Sequence, residues 1–194
     1  MLKSQIRKQI LQARQDLDAK EFAFFSFKIF EQFKRIDLSA IHTMHLFLPI
    51  QEKREVNTWL IVKWLQEENS HIRLVVPRFM GSFTELAHIE LLADVAILLN
   101  KWGIPEPVSG ELITPSEIDL CLVPLLGIDR RGYRLGYGGG FYDRFLATCR
   151  PDIRTIGLSL FEPLAELIEI DKFDIPLQTC IFPWGINYYP ESGR

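Results

Sequence analysis

The segment "DLCLVPLLGI" (119–128) constrains the fold more than any other stretch of the chain. It is an almost unbroken apolar run, as expected of a strand covered on both faces. Such a strand needs helices above and below a largely parallel sheet. The flanking sequence supplies them. Residues 2–35 contain neither glycine nor proline and read as helical, as one bent helix or two. "IHTMHLFLP" (41–49) alternates loosely and ends at a proline, which predicts a strand. "VNTWLIVKWLQEE" (56–68) has helical spacing in Trp59, Leu60, Val62, Lys63 and Leu65, and "HIRLVVP" (71–77) is strand-like. "LAHIELL" (86–92) and the segment around "VAILLN" (95–100) fit a strand or a short helix, and residues 101–118, with Pro105, Pro107 and Pro115, read as mostly loop. "FYDRFLATCR" (141–150) reads as a helix, "RTIGLSL" (154–160) as a strand and "PLAELIEI" (163–170) as a short helix; "TCIFP" (179–183) reads as a last strand before a polar tail. The alternation predicts a three-layer α/β/α sandwich, with residues 1–194 as one domain.

The totals narrow the function classes. The chain has 194 residues, 47% hydrophobic and 24% charged, which suits one globular core rather than a disordered chain. A formal net charge of −3 argues against a general nucleic-acid binder, so any positive patch is local and suits a small anion. Cys121, Cys149 and Cys180 are odd in number and form no C-x-x-C pair; they read as small apolar residues of a cytoplasmic protein. The start "MLKSQIRKQI" has no signal-peptide run, and no membrane span is expected. His42, His45, His71 and His88 lack zinc-ligand spacing, and no G-x-S-x-G elbow occurs.

After the apolar run comes "RRGYRLGYGGGFYDRF" (130–145), in which Arg130, Arg131, Arg134 and Arg144 surround Gly136, Gly138, Gly139 and Gly140. Successive glycines let backbone N–H groups converge as an anion nest, and a following helix adds its positive end. The pattern is not a Walker loop, and Phe141 stands where G-x-G-x-x-G requires a third glycine. The alternative is a glycine-rich turn at a helix start; the density of arginine favours the anion site. Asp143 either serves the first helical turn and an arginine or holds Mg²⁺ beside phosphates. Arg144 reads as a solvated helix residue or a carboxylate's partner.

At about 100° per residue, Lys3, Arg7 and Arg14 fall within an arc of about 40°, bordering the apolar stripe of Ile6, Ile10, Ala13 and Leu17. They are an ordinary solvated flank unless this helix lies against the glycine loop. Glu52 and Glu55 either start a helix or serve a site, and Lys20, Lys28, Lys34 and Lys53 read as solvated.

The run "LVPLLGIDRRGYRLGYGGGFYDRFL" (122–146) resembles the signature of the 5-formyltetrahydrofolate cyclo-ligase family. The K-x-x-x-R of Lys3 and Arg7, "FLPIQEKREVNTWLI", "VVPRF" and "KWGIPEP" resemble further family segments in the same order. The resemblance implies an α/β/α fold related to sugar-phosphate isomerases and CoA transferases. It implies conversion of 5-formyltetrahydrofolate and ATP to 5,10-methenyltetrahydrofolate, ADP and phosphate with Mg²⁺, by a monomer. It places Lys3, Ser4, Gln5, Ile6, Arg7, Arg14, Arg134, Leu135, Gly136, Tyr137, Gly138, Gly139, Gly140, Phe141 and Tyr142 at ATP. Leu48 and Glu55, with residues 137–141, would contact the folate; Asp143 would hold Mg²⁺; Lys3, Arg134 and Asp143 would carry the chemistry. Phe173, Gln178 and Asn57 depart from the family pattern, and at Gln178 a second Mg²⁺ carboxylate is lost. Two alternatives stay open: an isomerase or transferase relative with Glu106 as its carboxylate, and a nucleotide- or folate-binding module without turnover.

Overall fold

The computed structural model describes residues 2–80 and 86–190. The amino-terminal stretch is two helices, α1 (Lys3–Asp16) and α2 (Ala19–Phe33), and a side chain makes the break. Asp18 accepts from the Lys20 and Glu21 amides at 2.7 and 2.8 Å, while the Glu21 carboxylate accepts from the Asp18 amide at 2.9 Å. This reciprocal cap starts a new helix without glycine or proline.

β1 (Thr43–His45), α3 (Trp59–Glu68), β2 (Arg73–Phe79) and β3 (Leu86–Glu90) follow, then a hairpin of β4 (Ile97–Leu99) and β5 (Pro105–Pro107). β6 (Leu120–Val123) leads into a two-stranded ribbon of β7 (Gly127–Ile128) and β8 (Arg134–Leu135). The chain closes with α4 (Phe141–Thr148), β9 (Arg154–Leu158), β10 (Thr179–Phe182) and β11 (Gly185–Tyr188). The main sheet has the order β11-β10-β9-β6-β1-β2-β3, parallel except at its two edge pairs.

β6 shows why the apolar run is so continuous. Leu120 and Leu122 face a cluster with Phe33, Ile61 and Leu65 of α2 and α3. Cys121 and Val123 face the opposite cluster, with Phe145 and Leu146 of α4. Alternate residues thus serve two cores, and a fully buried side chain such as Phe33 contributes about 1.5–3 kcal/mol. α1 packs over the ribbon instead, with Ile6 and Ile10 against Leu126 and Leu135. No helix among the described residues is long and apolar enough to cross a membrane.

The structure corrects four sequence expectations. The 119–128 run is not one strand: its ladder ends at Val123 before Pro124, and Gly127–Ile128 pair separately. The 41–49 strand keeps its ladder only over Thr43–His45, because the chain then turns away and Pro49 has no N–H to give. Residues 163–170 form no helix; the Leu164 amide bonds to the Ile128 carbonyl and the Ile168 amide to Asp129. The tail carries an additional edge strand, β11. The two ambiguous segments contain β3 and β4.

Candidate active site

β1 lies between β2 and β6, so the chain segments leaving the carboxyl ends of β1 and β6 part from one another. This is the switch point at which open α/β sheets bind ligands. The glycine loop reaches it by way of the β7–β8 ribbon rather than directly from β6. Gly138 has φ +102° and Gly140, the residue capping α4, has φ +64°, conformations that a Cβ disfavours. They turn the backbone into the amino end of α4, where unpaired N–H groups favour an anion.

α1 lies against this loop. Arg7 Nε donates to the Gly136 carbonyl at 2.9 Å. Ile10 sits so close to Gly127 that an added Cβ there would lie 3.0 Å from its Cδ1. Arg54, with φ +44°, donates to the Leu17 carbonyl, and Gln15 Nε2 donates to the Glu52 carbonyl at 2.7 Å. These bonds tie α1 to the 3-10 turn Gln51–Lys53 that precedes Glu55. The cationic stripe therefore borders the loop, which periodicity alone could not establish.

Arg14 is 1% exposed; it donates to the Leu125 carbonyl at 2.6 Å and to the Tyr137 hydroxyl at 3.2 Å. That hydroxyl donates to Glu55 Oε1 at 2.6 Å, and Glu55 Oε2 accepts from the Ile50 amide at 2.8 Å. Glu55 is 5% exposed. Burial pushes its carboxyl above the usual range, against the pull of the Ile50 amide, the Tyr137 hydroxyl, Arg14 and Lys53. Tyr137 is 36% exposed, and Lys53 lies 4.5 Å from its ring centroid.

The arginines of the loop are turned inward more than their density suggests. Arg131 forks onto Asp129 at 2.7 and 3.1 Å. Arg134 donates to Asp143 Oδ1 at 2.6 Å and to the Ile175 carbonyl at 2.7 Å. Arg144 is exposed on α4, as a solvated helix residue, and also donates to the Gly139 carbonyl at 3.0 Å. Much of the positive charge thus fixes the loop's shape, with Arg7 beside it. Lys3 Nζ lies 3.5 Å from Asp174 and 3.6 Å from Asp171.

Asp143 also accepts from the Ile175 amide at 3.1 Å, again through Oδ1. Oδ2 has no protein donor among the described residues. No group of three His, Cys, Asp or Glu among them is arranged to hold a metal ion. One carboxylate with an open oxygen beside the glycine loop still fits Mg²⁺, which takes one or two carboxylates plus substrate phosphates. Gln178 Oε1 accepts from the Thr155 amide at 3.0 Å, between the amino ends of β9 and β10. Its side chain serves the sheet.

Among the other expected site residues, Ser4 and Gln5 are exposed on the first turn of α1, whereas Ile6, Leu48 and Leu135 are buried apolar side chains. Leu135 joins the core under α1, so only its backbone is offered to a ligand. The Tyr142 hydroxyl is buried without a partner among the described residues. Glu106 Oε1 accepts from the Phe79 amide and Asn100 Nδ2, both at 2.8 Å, and so braces β2 against the β4–β5 hairpin. Cys121 Sγ lies 3.5 Å from His45 Nδ1, a pair that the sequence did not suggest. Burial pushes the thiol up and the imidazole down, so both are neutral and the pair is not a thiolate nucleophile.

Sequence reasoning missed Lys53, Arg54 and the Leu125 carbonyl. It also missed an aromatic wall: Phe79 lies 5.3 Å from Trp102 and 5.2 Å from Phe141, centroid to centroid. A lysine two residues before a candidate carboxylate was the one available signal.

With this geometry in place, the sequence matches the 5-formyltetrahydrofolate cyclo-ligase family across residues 1–183. The chain belongs to that family. A 5-formyltetrahydrofolate cyclo-ligase of Haemophilus influenzae is 31% identical over 130 residues, covering 63% of this chain and 67% of its own length. The Mycoplasma pneumoniae cyclo-ligase is 29% identical over 183 residues, covering 93% and 98%. Among solved structures, Aquifex aeolicus 5,10-methenyltetrahydrofolate synthetase superposes with TM-score 0.83 at 27% identity, over 100% of this chain and 95% of the other. The Mycoplasma pneumoniae synthetase gives 0.73 at 27% identity, over 94% and 99%. The cyclo-ligase fold therefore extends over the whole sandwich, including the β7–β8 ribbon and glycine loop.

Proposed function

We propose that the protein converts 5-formyltetrahydrofolate to 5,10-methenyltetrahydrofolate, consuming ATP with Mg²⁺ and releasing ADP and phosphate. The observation that carries this reading is the Arg7–Gly136 bond, which makes the cationic start of α1 and the glycine loop one wall of one crevice. Nucleotide phosphates lie between Lys3, Arg7, the amides of residues 136–140 and the amino end of α4. The folate lies against Glu55, Tyr137 and the ring wall of Phe79, Trp102 and Phe141.

The formyl oxygen is a weak nucleophile and a poor leaving group. Its attack on the γ-phosphorus forms an O–P bond as the bond to ADP breaks. The N10 lone pair then attacks the formyl carbon, the carbon–oxygen bond to phosphate breaks, and the N10 proton leaves with the expelled phosphate. Both steps depend on positioning and charge stabilisation, which fixed amides and cations supply. Asp143 would hold Mg²⁺, which when bound neutralises charge on the phosphates. Lys3 and Arg7 neutralise the same charge from α1, and Arg134 orients Asp143.

Purified protein given 5-formyltetrahydrofolate, ATP and Mg²⁺ is expected to form the methenyl chromophore with one ADP per turnover. Folded protein showing no folate-dependent ADP formation removes the reading; calorimetric binding without turnover leaves an inactive binding module in its place. D143N is expected to abolish Mg²⁺-dependent turnover while the protein stays folded. Unchanged turnover in D143N removes Asp143 from the metal role.

A further inference from the structure

We infer that Arg14 is a positioning residue for the folate half of the site, holding Tyr137 against Glu55, and is not a phosphate ligand. The inference rests on the cyclo-ligase reading. Arg7 and Arg14 share one stripe of α1, two turns and about 10 Å apart. Arg7 is partly exposed and spends its Nε on Gly136, so its terminal nitrogens are available to an anion beside the loop. Arg14 faces the interior, with one terminal nitrogen on the Leu125 carbonyl and the other on the Tyr137 hydroxyl. At 1% exposed it presents nothing to a phosphate.

The Tyr137 hydroxyl has one proton and free lone pairs. It accepts from Arg14, so its proton is committed to Glu55 Oε1. The Ile50 amide holds the other oxygen. The orientation of the carboxyl group at the switch point is thereby fixed. The groups facing it are Arg14 from α1, Lys53 from the 3-10 turn, Tyr137 from the loop and Tyr142 from α4. Burial favours protonation of Glu55, and Arg14 and the Tyr137 bond oppose it. Removing either raises the pH at which Glu55 becomes charged.

The test uses R14Q, R14K and Y137F in the full chain. Initial rates are measured between about pH 4 and pH 9, a window that spans carboxylate and imidazole titrations. Binding of a non-hydrolysable ATP analogue is measured by calorimetry. In R14Q, nucleotide affinity is expected to stay within about twofold. kcat/KM for the folate should fall roughly tenfold, the effect of one hydrogen bond to a charged group, and its acid limb should move to higher pH. R14K, which keeps the charge, returns the limb toward wild type. Y137F removes only a hydroxyl and moves the limb in the same direction, so it carries the test if R14Q does not fold. Nucleotide binding weakened about tenfold with an unmoved limb makes Arg14 a phosphate ligand and overturns the inference. Lower kcat/KM with an unmoved limb makes it a structural tie and overturns it equally. A wild-type protein without folate-dependent turnover removes the cyclo-ligase reading and this inference together, whereas an active wild type with either adverse R14Q result removes the inference alone.

Discussion

Asp129 and Glu55 are both shut away from water and both bonded to the arginine- and glycine-rich segment, but they are held differently. Asp129 accepts from the Arg131 amide and guanidinium, the Tyr133 amide and the Ile168 amide, all at 2.7–3.2 Å. Burial alone would push its carboxyl up; Arg131 and the backbone donors overcome that and hold it below the usual range. Glu55 accepts from one hydroxyl and one amide, its nearest guanidinium stands one bond away, and burial wins. A buried acid that is fully paired is a fastening, here joining the base of the ribbon to residues 164–168. One that is partly paired keeps unspent affinity for a donor, as a substrate-binding acid requires.

The largest effect that would break this comparison is on stability. D129A is expected to lower the unfolding free energy by about 3 kcal/mol, the lower end for breaking a buried pair, because it strands the Arg131 guanidinium and three amides. E55Q should change it by less than about 1 kcal/mol, since the amide removes a charge that burial disfavours. Urea unfolding of both variants decides the point, and a more destabilised E55Q would reverse the assignment. Turnover should divide the opposite way. E55Q is expected to lose roughly 10- to 100-fold in kcat/KM for the folate, as for a lost hydrogen bond to a charged group, with nucleotide binding kept. Equal loss for nucleotide and folate would mean that Glu55 supports the whole crevice and not its folate half.

The pH dependence of stability sharpens the contrast because the two signs differ. Asp129, held below its ordinary value of 3.8, contributes stability that is present above that value and lost as pH falls through its folded value. Glu55, held above its ordinary value of 4.5, has the reverse effect: stability is lost as pH rises from that value through its folded one. D129N should therefore flatten the acid side of a stability–pH curve, and E55Q the slope just above it. Thermal unfolding across that range, with both variants sloping alike, would show that one group governs both.

The fastening and the site were not equally legible in the sequence. The two-faced burial of β6 followed from an apolar run, and the tight turns at Gly138 and Gly140 from glycine density, because both are local properties. The break between α1 and α2 was also written locally, in Asp18 and Glu21. Residues 163–170 were misread because helical spacing in Leu164, Leu167 and Ile168 is a weak preference, and it yields when Asp129 takes the Ile168 amide. The inward turn of Arg134 and Arg14 had no local signal at all, whereas Arg131 meets a carboxylate two residues away in Asp129. A guanidinium's direction depends on which carbonyl or carboxylate the fold brings to it, and Leu125, Asp143 and Tyr137 come from other elements.

Lys53 provides the smallest and most selective test. Its sequence neighbourhood reads as a solvated flank, yet its ammonium lies 4.5 Å from the centroid of the Tyr137 ring and favours the charged form of Glu55. It makes no bond to Glu55, so its influence is a field across partly solvated space, together with a cation–ring contact of about 0.5–1 kcal/mol at an exposed site. K53Q should lower kcat/KM for the folate by less than about fivefold, consistent with that magnitude, and move the acid limb upward by less than R14Q does. The effect should shrink in high salt, which screens a solvated ammonium and leaves a buried guanidinium largely untouched. If K53Q matches R14Q in limb position and in salt response, general positive potential around Glu55 sets its charge, and the bonded path from Arg14 through Tyr137 does not.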